Sequence, residues 1–298
     1  MSIKLPGGME RVRDSERNLT SAAREPSTGR LYGAGPVPFN ARIIERRDLN
    51  DRLAIIRVKF EKGAPPHFEP GQYMDVGIVV HDAERDSIGN SPHRNLLTRS
   101  YSIASSPERE VLEFYVSLVK RGILTPRLWR LRKNDRLWVQ PRPRGRFTLE
   151  PVPKEADVLL IATGTGIAPY ISMLRTYRRS NRLHRAAVVH SARTPVELGY
   201  HEELRAMSKE QAGLRYIPTI TGDREASTWE GLRGRVQTLL ESGRLEALSG
   251  FSLDPVRAHV FLCGNPKMVD NVSENLETRG FTPHTRMRAG NIHTERYW

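Results

Sequence analysis

The sequence predicts a two-domain α+β protein in which an antiparallel β-barrel is followed by an α/β domain built on a parallel sheet. Three observations predict it. The chain has 298 residues, about twice the length of an ordinary domain. Between Asn40 and Gln140, short β-like runs alternate with Pro- and Gly-bearing turns, the rhythm of barrels and sandwiches. After Pro151, compact apolar runs alternate with segments able to form helices, the rhythm of a parallel sheet covered on both faces.

The elements follow in order. Residues 1–36 are polar, charged and repeatedly broken by Pro and Gly, and are expected to form a disordered arm. The barrel domain, residues 37–150, has strands expected at Asn40–Arg46, Leu53–Phe60, Tyr73–Val80, Thr98–Ala104, Val111–Leu118 and Arg136–Gln140. Between them His81–Asn95 is a polar loop of unusual length, either an insertion or a flap. Glu150–Glu155 reads as the linker to the second domain, residues 156–298. There, strands are expected at Val158–Ile161, Ala186–Val189, Leu214–Ile220 and His259–Leu262. Helices are expected at Ile167–Arg179, Glu202–Lys209, Val236–Ser242 and Lys267–Thr278.

Composition narrows the class. A hydrophobic fraction of 38% is adequate for ordinary cores. No apolar run approaches the roughly 20 residues needed to span a bilayer, and the first residues lack a secretory apolar segment. The single cysteine, Cys263, precludes an internal disulfide, and the cytoplasm is the default location. A net charge of +13 favours encounter with anionic partners, whether acidic proteins or nucleic acid, or else reflects a solvated surface. Part of it is local, at Arg127, Arg130, Arg132, Lys133, Arg136, Arg142, Arg144 and Arg146.

Two ordered motifs carry the chemistry. A flavin needs a partner for its pyrophosphate, a flat surface for its ring and a hydrogen bond near its reactive nitrogen. Arg99-Ser100-Tyr101-Ser102 supplies all three in one strand, with Arg99 and Tyr101 on one face by alternation. A half-buried strand end would explain the same four residues. Downstream, Phe114-Tyr115-Val116 reads as a strand, and Gly122-Ile123-Leu124-Thr125-Pro126 enters a short helix. Thr125 is placed to cap that helix, leaving amides free for a phosphate or simply capped.

The second motif, Gly164-Thr165-Gly166-Ile167-Ala168-Pro169, follows an apolar strand and opens a helix. That context suits phosphate binding, although proline stands where the dinucleotide fingerprint has its third glycine. A structural strand-to-helix turn is the alternative. Ala192-Arg193, Arg224 and Arg235 fall beyond later strands, where paired guanidinium groups suit a 2′-phosphate. Cys263-Gly264-Asn265-Pro266 ends another strand, and Cys263 reads as a wall of the site. The nine histidines show no zinc-ligand spacing, so no metal is expected.

Assembled, these motifs, with Phe68-x-Pro70-Gly71-Gln72 and a terminal Tyr297-Trp298, resemble the ferredoxin–NADP(+) reductase family, specifically its bacterial flavodoxin/ferredoxin reductases. The resemblance runs from about Asn40 to Trp298. It implies a FAD-binding antiparallel barrel, an NADP-binding α/β domain, and the flavin at their junction. By position, Arg99 is implied to pair with the pyrophosphate, Tyr101 to stack on the isoalloxazine, and Ser102 to hydrogen-bond near N5. Ser100, Tyr115, Val116, Ile123, Leu124 and Thr125 are implied to hold the rest of FAD. Gly164, Thr165 and Gly166 are implied on the nicotinamide side of NADP, and Ala192, Arg193, Arg224 and Arg235 at its 2′-phosphate. Cys263, with Gly264, Asn265 and Pro266, is implied to line the hydride-transfer site, and Tyr297 and Trp298 to cover the ring and the adenine. The implied catalytic set is Tyr101, Ser102, Cys263 and Tyr297.

The implied reaction moves a hydride between NADPH and the flavin and single electrons between the flavin and an acidic carrier, ferredoxin or flavodoxin; no membrane or nucleic acid is expected as a partner. Two rivals stand beside it. One is a reductase component serving an oxygenase, although a single cysteine excludes a fused four-cysteine [2Fe–2S] domain. The other is a basic nucleic-acid-binding module that kept the fold without turnover.

Overall fold

A computed structural model describes residues 39–80, 95–222 and 228–297. The expected arm, His81–Arg94, Arg224 and Trp298 lie outside the described residues.

The first domain contains β1 (Ala41–Asp48), β2 (Leu53–Phe60), β3 (Tyr73–Val80), β4 (Asn95–Ser102), β5 (Leu112–Ser117), the one-turn helix α1 (Thr125–Leu128) and β6 (Arg136–Val139). Its strands form one six-stranded antiparallel sheet in the order β4-β3-β6-β1-β2-β5. The sheet rolls around an apolar core. Among the described residues its edge strands meet only just past β4, in an Ile103–Phe114 bridge and an Ala104 N to Glu113 O bond of 2.8 Å. A fully laddered barrel is therefore not present; the sheet is barrel-like with a seam.

Alternation explains which strands face the second domain. In β2, Ala54, Ile56 and Val58 point into the barrel core while Leu53 and Ile55 join the inter-domain core. In β5, Leu112, Phe114 and Val116 point inward while Tyr115 faces the seam. A strand buried on both faces reads as a continuous apolar run, because both of its period-2 face sets meet apolar neighbours.

The second domain contains β7 (Asp157–Thr163), α2 (Ala168–Tyr177), β8 (Ala186–Ala192), α3 (His201–Glu210), β9 (Leu214–Ile220), β10 (Leu232–Arg233), α4 (Val236–Glu241), α5 (Arg244–Ser249), β11 (Ala258–Gly264), α6 (Pro266–Thr278) and β12 (Ile292–Arg296). The strands form a parallel sheet ordered β10-β9-β8-β7-β11-β12. In β7, Leu159 and Ile161 pack on the α4, α5 and α6 side, and Val158, Leu160 and Ala162 pack on the α2 and α3 side with the barrel. Strand order reverses at β7, so the loops after β7 and β11 leave in opposite directions and open a crevice at the carboxyl ends of the strands. The seam is apolar and aromatic: the ring of Phe147 lies 5.9 Å from that of Tyr170 and 5.2 Å from that of Phe261.

Three elements of the second domain were not expected from the sequence: β10, α5 and β12. Of these, β12 bears most directly on the crevice, and β10 leads to Arg235. The β12 segment, Ile292-His293-Thr294-Glu295-Arg296, holds one aliphatic residue. It pairs along β11 from Val260–Ile292 to Gly264–Arg296, and that register carries the chain terminus into the crevice.

Candidate active site

In β4, strand alternation sends Arg99 and Tyr101 one way and Ser100 and Ser102 the other. Tyr101 lies edge-on to Phe114, with ring centres 6.4 Å apart, at the margin of the barrel core. Among the described residues its buried hydroxyl has no hydrogen-bond partner, and it lies beside an apolar void of about 10 Å³ lined by Val58, Val76 and Val116. Burial pushes the phenol well above its usual range. An unpaired hydroxyl in so apolar a space costs about 1–3 kcal/mol. Arg99 is half-buried and bonds its neighbour's carbonyl, Nη1 to Thr98 O at 2.9 Å. On the opposite face, Ser100 donates to Asp75 Oδ1 at 2.7 Å, and Arg144 pairs with the other oxygen of that buried carboxylate.

Ser102 opens onto the crevice. Its Oγ accepts from the Tyr297 hydroxyl at 2.8 Å and donates to Glu295 Oε2 at 3.1 Å. The same Glu295 oxygen accepts from the Cys263 thiol at 3.8 Å. Tyr297 is fixed at its backbone, N to Gly264 O at 3.0 Å, and its hydroxyl lies 3.5 Å from the Thr165 carbonyl. Three expected catalytic residues, Ser102, Cys263 and Tyr297, are thus brought together from β4, β11 and the chain end. Tyr101 is not part of that cluster. Glu295 was missed, although it sits two residues before Tyr297 on the same strand face. Burial raises its carboxyl from 4.5 to about 7, against the hydrogen bonds from Ser102 and Cys263. Burial likewise drives the Cys263 thiol well above its usual range.

The glycine loop crosses the crevice as a single 3₁₀ turn, Gly164–Ile167, before α2 begins at Ala168 with Pro169 in its first turn. Gly164 has a left-handed φ of +54°, and a side chain there would meet nothing within 4 Å. Gly166 is the reverse: an added Cβ would lie 2.4 Å from the Cys263 carbonyl oxygen. His190, also missed, holds the loop, Nε2 to Gly164 O at 3.1 Å. A carbonyl only accepts, so Nε2 carries the proton; burial keeps this ring neutral by lowering its pKa to about 4. Across the crevice, Asn265 N donates to Thr163 Oγ1 at 2.8 Å, and the Asn265 side chain caps α6 by accepting from Lys267 N at 2.9 Å, with Pro266 next.

The remaining expected residues divide. Arg193 and Arg235 are both exposed, just past the ends of β8 and β10 on the carboxyl edge of the sheet, while Ala192 is buried. Tyr115 is 3% exposed and lies in the domain seam, its ring edge-on to Tyr200 at 5.4 Å and its hydroxyl 3.3 Å from the Glu197 carbonyl. Val116 and Leu124 belong to the barrel core, and Ile123 is exposed. Thr125 does not cap α1; its hydroxyl bridges Val119 N and O at 3.0 and 3.1 Å, and Leu124 occupies the cap position.

These residues fit a flavin and a dinucleotide. The open left-handed Gly164 and the hydroxyl–carboxyl–thiol cluster are features that a core built only for stability would not retain.

The fold and crevice define a two-domain reductase, and the comparisons agree. Residues 160–274 match the family described as "Oxidoreductase NAD-binding domain". The flavodoxin/ferredoxin–NADP reductase of Escherichia coli (strain K12) is 35% identical over 232 residues, 78% of this chain and 88% of that one. Ferredoxin–NADP reductase A of Sorangium cellulosum (strain So ce56) is 32% identical over 248 residues, 80% and 82% of the two chains. A crystal structure of a ferredoxin NADP+ reductase from Neisseria gonorrhoeae with bound FAD and NADP has the same fold, with a TM-score of 0.75 at 23% identity over 86% of this chain and 97% of that one. The chain belongs to the flavodoxin/ferredoxin–NADP reductase family and is an oxidoreductase. Among the described residues, no helix is long and apolar enough to cross a membrane, and no group of ligating side chains could hold a metal ion.

Proposed function

We propose that this chain binds FAD and NADP(H) and exchanges electrons between NADP(H) and an acidic carrier, ferredoxin or flavodoxin, in the cytoplasm. The observation that carries the reading is the meeting of Ser102 with Glu295 and Tyr297, at 3.1 and 2.8 Å, beside the glycine loop. When bound, the flavin takes a hydride from the nicotinamide and passes its electrons on singly, and the protein's task is alignment and exclusion of water. Arg99 offers the guanidinium for the pyrophosphate, and Tyr101 the ring surface. Ser102 offers a hydroxyl whose proton is backed by the Glu295 carboxyl. Tyr297 covers the crevice, held by its backbone N on the Gly264 carbonyl and its hydroxyl on Ser102, and must give way for a nicotinamide to stack on the same face.

The direct test is the visible spectrum of the purified protein before and after anaerobic NADPH, with chromatography of the heat-released flavin. A colourless protein, FMN, or no bleaching by NADPH overturns the reading.

Two predictions follow from the charges. Arg193→Ala should raise the KM for NADPH and hardly change that for NADH, because loss of one charge-assisted bond to a phosphate costs about 1.5–3 kcal/mol. Equal losses for both nucleotides would assign Arg193 to folding. For the carrier, the docking face is the one bearing Arg127, Arg130 and Arg142, with Arg144 tied to Asp75 and contributing less. Exposed charges are screened over about 8 Å at physiological ionic strength, so reduction of a protein carrier should slow steeply with salt. Reduction of a neutral dye should not, and equal salt dependence for both would return the patch to a solvated surface.

A further inference from the structure

Helix α2 begins directly after the glycine loop, so whatever fixes the helix fixes the loop. Two of its side chains reach across to the first domain. Ser172 Oγ donates to the Ser105 carbonyl at 2.7 Å. Arg175 Nη1 donates to the Ala104 carbonyl at 3.0 Å and to Glu113 Oε1 at 2.8 Å. The rest of the same guanidinium, Nε and Nη2, clasps both oxygens of Glu203 in α3 at 2.7 and 2.8 Å. Ala104 lies two residues beyond Ser102, and Glu113 two residues before Tyr115.

Glu113 is 3% exposed, and both of its oxygens are engaged. Oε2 accepts from Arg57 Nε at 2.7 Å, and Oε1 accepts from the Tyr200 hydroxyl at 2.9 Å as well as from Arg175. Burial alone would raise its carboxyl pKa, but Arg175, Arg57 and Tyr200 together hold it below the usual range. Tyr200 takes a left-handed φ of 62°, uncommon for a residue other than glycine, with the Arg175 guanidinium 5.4 Å above its ring. The aromatic seam already holds the domains together. A buried ion network adds little net stability to such a seam, but it penalises every arrangement that leaves a charge unpaired.

We infer that Arg175 is a positioning residue whose forked contacts to Ala104, Glu113 and Glu203 set the distance between the glycine loop and the Ser102 strand. The inference rests on the hydride-transfer reading above. It assigns Arg175 no contact with either nucleotide; its hydrogen bonds run to Ala104, Glu113 and Glu203. Lysine cannot replace it, because a point ammonium cannot meet a carbonyl and two carboxylates in one plane.

The test is anaerobic stopped-flow reduction of the FAD-loaded protein by NADPH and by 4-deuterated NADPH, with calorimetric binding of 2′-phospho-AMP and FAD content measured in parallel. A misplacement of about 1 Å costs about 100-fold in rate. Arg175→Met is expected to slow hydride transfer by about that factor and to raise the deuterium isotope effect. FAD content and 2′-phospho-AMP affinity should stay within about threefold of wild type. Arg175→Lys should fall between wild type and Arg175→Met, and Arg178→Ala, which removes an exposed pair between the residue just past α2 and Glu210 at the end of α3, should leave the rate unchanged. If Arg175→Met does not fold, Tyr200→Phe removes one donor to Glu113 and is expected to slow the step several-fold with both affinities intact. Wild-type rates in these variants, or rate losses that merely track lost FAD or 2′-phospho-AMP binding, overturn the inference. Failure of NADPH to reduce the wild-type flavin would instead overturn the reading beneath it.

Discussion

Gly166→Ala is expected to slow flavin reduction by NADPH by about 100-fold while the flavin stays bound. The added methyl would stand 2.4 Å from the Cys263 carbonyl oxygen, 2.7 Å from its carbon and 3.0 Å from Gly264 Cα. All three are backbone atoms, so no side-chain rotation relieves the clash. The loop and β11 must part by roughly 1 Å, a displacement that costs about two orders of magnitude in a step that depends on near-contact alignment. Overpacking of this kind costs about 1–3 kcal/mol in stability. Gly164→Ala is the companion variant. Its methyl meets nothing within 4 Å, and the left-handed backbone costs about 1–2 kcal/mol. Its effect should appear in the KM for NADPH, since Gly164 opens the glycine loop without packing against the domain. Stopped-flow rates beside thermal melts separate the two, and wild-type hydride transfer in Gly166→Ala would show that the contact with Cys263 has no bearing on alignment.

How much of this was legible in the sequence depends on how far apart the interacting residues lie. Strands β2 and β3 have the expected bounds, because an apolar run ended by turn residues is a local signal. The glycine loop and the Cys263 strand end were readable for the same reason: each is a strand followed at once by its loop. Strand β12 was not readable. Its side chains are mostly polar, and only its pairing with β11 makes it a strand. With it went Glu295, although the spacing of His293, Glu295 and Tyr297 on one face was available once a terminal strand was considered. The Glu113 network was beyond sequence reading altogether, since its partners stand 56, 62 and 87 residues away. Thr125 shows the limit of a local rule. Its position before Pro126 satisfies the capping pattern, yet the Val119 backbone, closer in the folded loop, takes the hydroxyl.

Glu295→Gln is expected to remove a pH dependence that the wild-type protein carries. Burial lifts the Glu295 carboxyl from 4.5 in the unfolded chain to about 7 in the folded one. The folded state therefore binds this proton more tightly. The resulting stability is fully present below about pH 4.5 and is lost as the pH rises through 7. A shift of that size is worth at most about 3.4 kcal/mol, since each unit is about 1.36 kcal/mol. Between pH 5 and 8, wild-type stability should fall by up to that amount, while the Gln variant, neutral throughout, should stay level and be the more stable protein at pH 8. Denaturant unfolding of the FAD-free protein at three pH values measures it. The same proton governs the crevice: below pH 7 the carboxyl can donate toward Ser102, and above it the carboxylate can only accept. Flavin reduction in the loaded wild-type protein should accordingly show an inflection near 7 that the Gln variant lacks. Parallel stability curves for the two proteins would mean that solvent reaches Glu295 in the folded state and that its proton is not held by burial.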